Sequence, residues 1–441
     1  RYARWCERTA VSHRLLLDSV KRGNKMNWIK QINNKVEERW INSSYEFKCN
    51  LSEIFFLGIF AVWLAYSYSW TTMVRIPWPP FFYFCVQIAI GLVVLFRYMV
   101  MKPSDMKKIL FVLLIIGSFI IARRYSGADA LLETGFLIVG ANDIDYRKIL
   151  KVYLIVEVPM TICTMIGGYT GVITNLVYHR GEQVRMAFGF VYPTDFAAGI
   201  IFMVTAWVVL RQARCTWIEI GLMISSAVLF EKYCDVRNSE IVMVILALGV
   251  VYLKIRNKLA EKKGKKYAPS LILKSLCLVA PYGLAGFMIL ASRFYQPNIK
   301  WMEKLNTLFS TRLSLGKETF NRYDIQIWGQ DIPMHGNGGT TEPVPAGEYF
   351  FIDSSYVNIL MRLGLIVFIL VMLIISVIMI KNLNRPYMLL AMVIICVHSV
   401  MEHHMFELHY DVFLILPFAK FDVNDVEKSR VWRKCHENKE N

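Results

Sequence analysis

The chain has 441 residues, 55% of them hydrophobic and 19% charged, and a formal net charge of +16. Its apolar residues come in long runs almost free of charge, such as residues 241–253, 271–290 and 365–380. A soluble bundle would instead alternate short amphipathic segments with polar loops, so that class is set aside in favour of helices that satisfy their own amides in lipid.

The first fifty residues are rich in Lys and Arg and contain no apolar signal core, so they are expected to form a cytoplasmic arm (1–50). Within it, the residues ahead of Met26 read as sequence upstream of the true start. Six spans are predicted next, at 51–71, 79–95, 109–122, 129–141, 149–166 and 196–210. Six more are predicted at 217–230, 239–253, 271–291, 355–380, 388–400 and 405–419. The fold class is therefore all-α, a polytopic membrane bundle of about twelve helices. Residues 51–291 and 355–419 form its two helical parts. A large extracytoplasmic loop (292–354) with short amphipathic helices separates them, and a basic cytoplasmic tail (420–441) follows. The span at 129–141 is short and contains Glu133, which suits a re-entrant or interfacial segment.

Orientation follows from charge. Lys and Arg concentrate in 1–48, 97–108, 254–266 and 420–439, and the positive-inside rule places these segments in the cytoplasm. A basic surface beside anionic lipid accounts for the net charge without nucleic acid. The pair Arg123-Arg124 is the exception, since alternation of the spans puts it outside. The nine cysteines fall mostly within apolar runs and form no CxxC pair, which argues against a disulfide frame or a zinc knuckle.

Four segments carry candidate chemistry. His179-Arg180-Gly181 through Arg185 to Pro193 and Asp195 places two arginines beside Gly and Pro, a composition suited to gripping an anion. In Asp235-Val236-Arg237-Asn238-Ser239, Arg237 stands where basic residues are disfavoured, so it either pairs with Asp235 or faces a cavity shared with Arg185. The large loop supplies Arg312 and Arg322 as phosphate ligands. It also supplies His335 as a base or positioning group and Asp353 as a carboxylate at the membrane edge. Gly336 to Gly339 is not a dinucleotide fingerprint, because no strand precedes it. Finally, His398, Glu402, His403, His404, Glu407 and His409 invite a metal reading, but their spacing lacks the HExxH pattern and no metal or other cofactor is expected.

These segments, in this order, resemble the Wzy-type polysaccharide polymerases of the O-antigen polymerase and ligase superfamily, especially those of Gram-positive capsule and exopolysaccharide clusters. Arg185-Met-Ala-Phe-Gly-Phe-Val-Tyr-Pro-Thr-Asp195 is similar to the family's Arg-x-x-x-Gly-Phe-x-His/Tyr-Pro-Asn segment. Asp235-Val-Arg-Asn-Ser239 is similar to its Ser/Asp-x-Arg-Thr/Ser segment. Asn306 to Glu318, with Tyr323 to Gln330, looks like its loop pattern, and Asp353-Ser-Ser-Tyr356 with Gly364 looks like its Asp-Asn-x-Tyr segment. Thr194 and Ser354 depart from the usual Asn. The likeness covers roughly residues 51–421.

The resemblance implies glycosyl transfer between undecaprenyl-diphosphate-linked oligosaccharides at the outer face. Arg185, Arg237, Arg312 and Arg322 would neutralise the diphosphate. Asp353, or else His335 or Glu402, would take the acceptor proton. Membrane lipid, a flippase and a chain-length regulator are the implied partners. A glycan ligase shares the same donor site and topology, while a lipid-linked oligosaccharide flippase or other transporter would show internal repeats and mid-membrane charges.

Overall fold

The structure is a computed structural model that describes residues 25–74, 76–79, 81–100, 106–342, 344–345 and 347–421. The residues ahead of Met26, save Lys25, and nearly all of the basic tail lie outside the described residues. The chain divides into a small unit within residues 1–54 and 96–102 and a large unit of residues 55–95 and 103–441. In the small unit, Arg97 Nη1 donates to Ser52 Oγ at 3.2 Å. The candidate site lies wholly in the large unit.

Helix α1 runs Lys25–Thr71, and no proline interrupts it. Half of the expected arm is thus continuous with the first apolar stretch. It is followed by α2 (Phe82–Val100), α3 (Met106–Ser126), the short α4 (Ala130–Gly140) and α5 (Tyr146–Thr170). A two-stranded hairpin, β1 (Val177–Arg180) and β2 (Gln183–Met186), then precedes α6 (Pro193–Arg211). Pro193 opens α6, where its missing N–H costs nothing. Helix α7 (Trp217–Leu229) starts with a reciprocal capping box between Thr216 and Glu219 and ends in a π turn, Phe230–Cys234. Next come α8 (Arg237–Lys262) and α9 (Leu271–Arg293). The large loop carries α10 (Lys300–Leu308) and α11 (Arg312–Arg322), the short helices its amphipathic pattern predicts. Helix α12 (Ser355–Asn358), a second π turn (Ile359–Leu363), α13 (Leu365–Lys381) and α14 (Pro386–His398) complete the helical order.

Among the described residues, seven helices are long and apolar enough to cross a membrane: Glu46–Thr71, Phe82–Val100, Lys108–Ser126, Tyr146–Thr170, Pro193–Arg214, Arg237–Lys262 and Leu271–Arg293. Their exposed faces carry residues such as Leu110, Ile155, Leu248, Leu271 and Leu276, an apolar surface that a lipid environment accounts for. The other expected spans are shorter or irregular. α4, α7, α13 and α14 have 11, 13, 17 and 13 residues, which at about 1.5 Å per residue fall short of a hydrocarbon core of about 30 Å. Residues 405–419 form turns and 3-10 segments, with no helix spanning them. Nearly all of that stretch is buried in protein, where irregular backbone is tolerated. Burial also separates the layers: α9 buries 22% of its most apolar window, whereas α6 buries 72%. α6 is therefore central, packed with α7, α8 and α14 through Phe196, Ile201, Phe230, Met243, Leu246 and Ile394.

Two charges anticipated as awkward are matched locally. Arg123 Nη2 lies 2.6 Å from Asp129 Oδ1. Glu133 accepts from Trp63 Nε1 at 2.8 Å and from Gln87 Nε2 at 3.3 Å. The break ahead of α13 also has a visible cause. Leu365 N–H donates to Gln326 O at 3.0 Å and Ile366 N–H to Ile327 O at 3.2 Å, so the large loop satisfies the amides that begin the helix. Gly364 and Gly329 both have positive φ, +97° and +87°, and their backbones touch there.

Candidate functional site

The site forms where α5, α6, α8, α9 and α14 meet the large loop. The opposite ends of α5, α6, α8 and α9 carry Arg147, Lys148, Arg211, Lys262 and Lys274. The hairpin turns at Gly181, whose φ is +61°, and pairs Tyr178 with Arg185. This register sends Arg185 inward. It is 3% exposed, its Nε donates to Cys234 O at 2.9 Å and its Nη1 donates to the Tyr192 hydroxyl at 3.1 Å. Cys234 closes the π turn, an irregular geometry in which the backbone ahead of α8 meets a side chain instead of continuing the helix. Asp235 pairs with Arg180 at 3.0 Å, not with Arg237.

Arg312, at the start of α11, is reached from the other side. Its Nε lies 3.5 Å from Asp353 Oδ2, and its Nη2 lies 4.0 Å from Glu402 Oε1. Nη1 also donates to Ser310 O at 2.9 Å and Nε to Met401 O at 3.3 Å. The serine after Ser354 explains why these carboxyls meet. Ser355 Oγ donates to Glu402 O at 2.6 Å and accepts from Met405 N–H at 3.1 Å, fastening the Asp353 segment to the turn that follows α14. Tyr356 strengthens the join by donating to Cys396 O at 2.8 Å.

The electrostatics are those of a buried, mixed-charge cluster. Burial opposes the charge on Arg312, but Asp353 and Glu402 outweigh it and hold the guanidinium above its ordinary pKa. Burial raises the Asp353 carboxyl, with Arg312 pulling it back. Burial pushes Glu402 up to about 7, against Arg312 and, more weakly, Arg185. Both arginines therefore act on one carboxyl, and Tyr192 lies in the field of Arg312 as well as in contact with Arg185. The loop closes over this region, with Gly339 N–H donating to Val191 O at 2.9 Å.

Beside the cluster opens a cleft of about 750 Å³, lined among others by Trp63, Trp70, Trp78, Tyr83, Phe351 and His403. Its volume suits a small-molecule or oligosaccharide ligand, and its rings offer flat apolar faces next to polar groups.

Not every anticipated residue joins the cluster. Arg185, Arg312 and Asp353 do, together with Glu402. Arg237 is exposed at the first turn of α8, whereas Arg185 is buried. Arg322 is exposed, pairs with Glu318 and lies over the Phe350 ring at 4.6 Å. His335 is exposed, and its backbone bridges to Phe350. Among the described residues, no hydrogen bond or ion pair joins its ring to Arg312, Asp353 or Glu402. The aromatic lining from α1, α2 and the turn between them was not among the anticipated residues. The run of Trp and Tyr at the end of α1 was the available signal for it. No family model, no curated protein and no solved structure matches this chain.

Proposed function

We propose that this protein is a polysaccharide polymerase that joins undecaprenyl-diphosphate-linked repeat units at the outer face of the cytoplasmic membrane. The observation that carries the reading is the convergence of Arg185 and Arg312 with Asp353 and Glu402 beside an aromatic cleft. These four residues come from four separate parts of the chain. The basic helix ends lie opposite the cluster, which by the positive-inside rule supports an outer position for it.

In this reaction the bond between the donor sugar's anomeric carbon and the lipid diphosphate breaks, and its electron pair stays on the diphosphate. Arg185 and Arg312 stabilise the charge that develops there. The acceptor hydroxyl forms the new glycosidic bond and passes its proton to Asp353, a carboxylate positioned by Arg312. The rings of the cleft hold the sugars of the growing chain. No nucleotide takes part, because the lipid diphosphate is itself the leaving group.

The test is the length of the surface glycan, read on a gel, in a deletion strain complemented with wild type or with Arg185→Ala, Arg312→Ala or Asp353→Ala. Single repeat units in the deletion, long chains with wild type and short ones with the three variants support the polymerase. Long chains that remain on the lipid would instead identify a ligase. Repeat units retained on the inner face would identify a transporter.

A further inference from the structure

Next to the arginine cluster lies a set of groups that the proposed reaction does not use. Asp195, in the first turn of α6, and His403 and His404, in the turn after α14, place a ligating atom each within 4.8 Å of one another. The His404 side chain is 1% exposed and that of Asp195 12%.

His404 has the arrangement of a metal-binding imidazole. Its Nδ1 lies 2.8 Å from Glu407 Oε2. A carboxylate only accepts, so the ring proton belongs on Nδ1 and the Nε2 lone pair is free. That Nε2 is buried without a hydrogen-bond partner and lies 3.6 Å from Asp195 Oδ1. His403 Nδ1 and His409 Nε2 are also buried without hydrogen-bond partners. Glu407 reaches both rings, at 3.5 Å from His403 Nε2 and 4.0 Å from His409 Nε2.

A second observation is independent of the histidines. Among the described residues, the Asp195 side chain makes no hydrogen bond and no ion pair with Lys or Arg. The charged groups nearest to it include Glu407, Glu402 and Asp353. The buried Asp195 thus lies in the field of three further carboxyls, and the Arg312 guanidinium is paired with two of them, Asp353 and Glu402. A bound cation would give this carboxyl the partner that no Lys or Arg supplies.

We infer that Asp195, His403 and His404 bind one divalent transition ion of the zinc type, with Glu407 orienting His404. Imidazole and carboxylate donors suit such an ion, and one open position remains for water or a further ligand. The ion fastens the irregular 399–410 segment to the start of α6, which holds Glu402 against Arg312. The inference does not depend on the polymerase reading, since it concerns binding of the ion alone.

The experiment uses the full-length protein in lipid nanodiscs, stripped with chelator, equilibrated with zinc chloride and washed. Metal analysis is expected to find about one zinc per wild-type chain. That zinc is lost in His404→Gln and in Asp195→Asn, and kept in His179→Gln, which alters an exposed imidazole on the hairpin. Glu407→Gln is expected to weaken zinc binding about ten- to a hundredfold. X-ray absorption at the zinc edge of the wild type requires no variant to fold and is expected to show nitrogen and oxygen donors with imidazole scattering. A sulfur shell, a wild type without zinc, or a zinc content unchanged by His404→Gln would overturn the inference.

Discussion

Arg312 touches more of the site than any other single side chain described above, reaching Asp353, Glu402 and two backbone carbonyls. Replacing it with Lys keeps the charge and loses the planar fork, so one charge-assisted contact is forfeited. At about 1.5–3 kcal/mol for such a contact, the proposed polymerase reaction is expected to slow roughly ten- to a hundredfold. The check is the rate of polymer growth in membranes supplied with lipid-linked repeat units. Arg312→Ala does more, because it leaves two buried carboxyls without their cation, and a stability loss of about 3–5 kcal/mol is expected. Thermal unfolding in detergent would show it as a lowered midpoint. Arg237, at the exposed start of α8, gives a useful contrast. Arg237→Ala is expected to shorten the glycan less than Arg185→Ala, since only Arg185 is buried within the cluster.

Several elements owe their position to backbone geometry, and side chains alone do not explain them. Gly364 has φ +97°, and an added Cβ would lie 2.2 Å from Gly329 N and 2.7 Å from Trp328 C. Both partner atoms are backbone and have little room to move. Gly364→Ala is therefore expected to cost at least about 2 kcal/mol and to loosen the large loop from α13. Limited proteolysis should then cut near residues 326–330 faster than in the wild type. The hairpin follows the same logic on a smaller scale. Its register turns Arg185 inward and leaves His179 and Arg180 exposed, so a shift of one residue would exchange their faces. α6 and the 399–410 segment are held at their contact by Asp195, His404 and Glu407, where the inferred ion belongs.

For the whole molecule, the separation of basic ends from the arginine–carboxyl cluster defines a polarity across the bundle. Exposed residues at the two ends should label from opposite sides. Glu342→Cys in the large loop is expected to react with a membrane-impermeant maleimide in intact cells. Lys265→Cys, between α8 and α9, should react only after the membrane is opened. These outcomes assume replacement of Cys85 and Cys163, the exposed thiols among the described residues, and of Cys6 and Cys435. Labelling of Lys265→Cys in intact cells would reverse the orientation and remove the outer-face chemistry with it. Long helices such as α9 bury little of their surface, whereas most of the shorter α14 is buried. Hydropathy could not separate these classes, because a buried helix and a lipid-exposed one are equally apolar.

The membrane class, the long apolar helices and the presence of short helices in the large loop were determined by the sequence itself. Uncharged runs need internal amide satisfaction in hydrocarbon, and spacing along α10 already marks one apolar face. Arg185, Arg312 and Asp353 were also legible as candidates, because arginine and carboxylate at the ends of apolar runs stand out against their surroundings. Only the tertiary structure decided which candidates meet. Arg237, Arg322 and His335 have the right chemistry, but the α8 start, the Glu318 pairing and the loop backbone direct them elsewhere. Likewise, Asp195 lies some two hundred residues before His403 in the chain, so no local spacing rule could join them. The contact comes from packing the irregular segment after α14 against α6, a long-range interaction that linear periodicity does not encode.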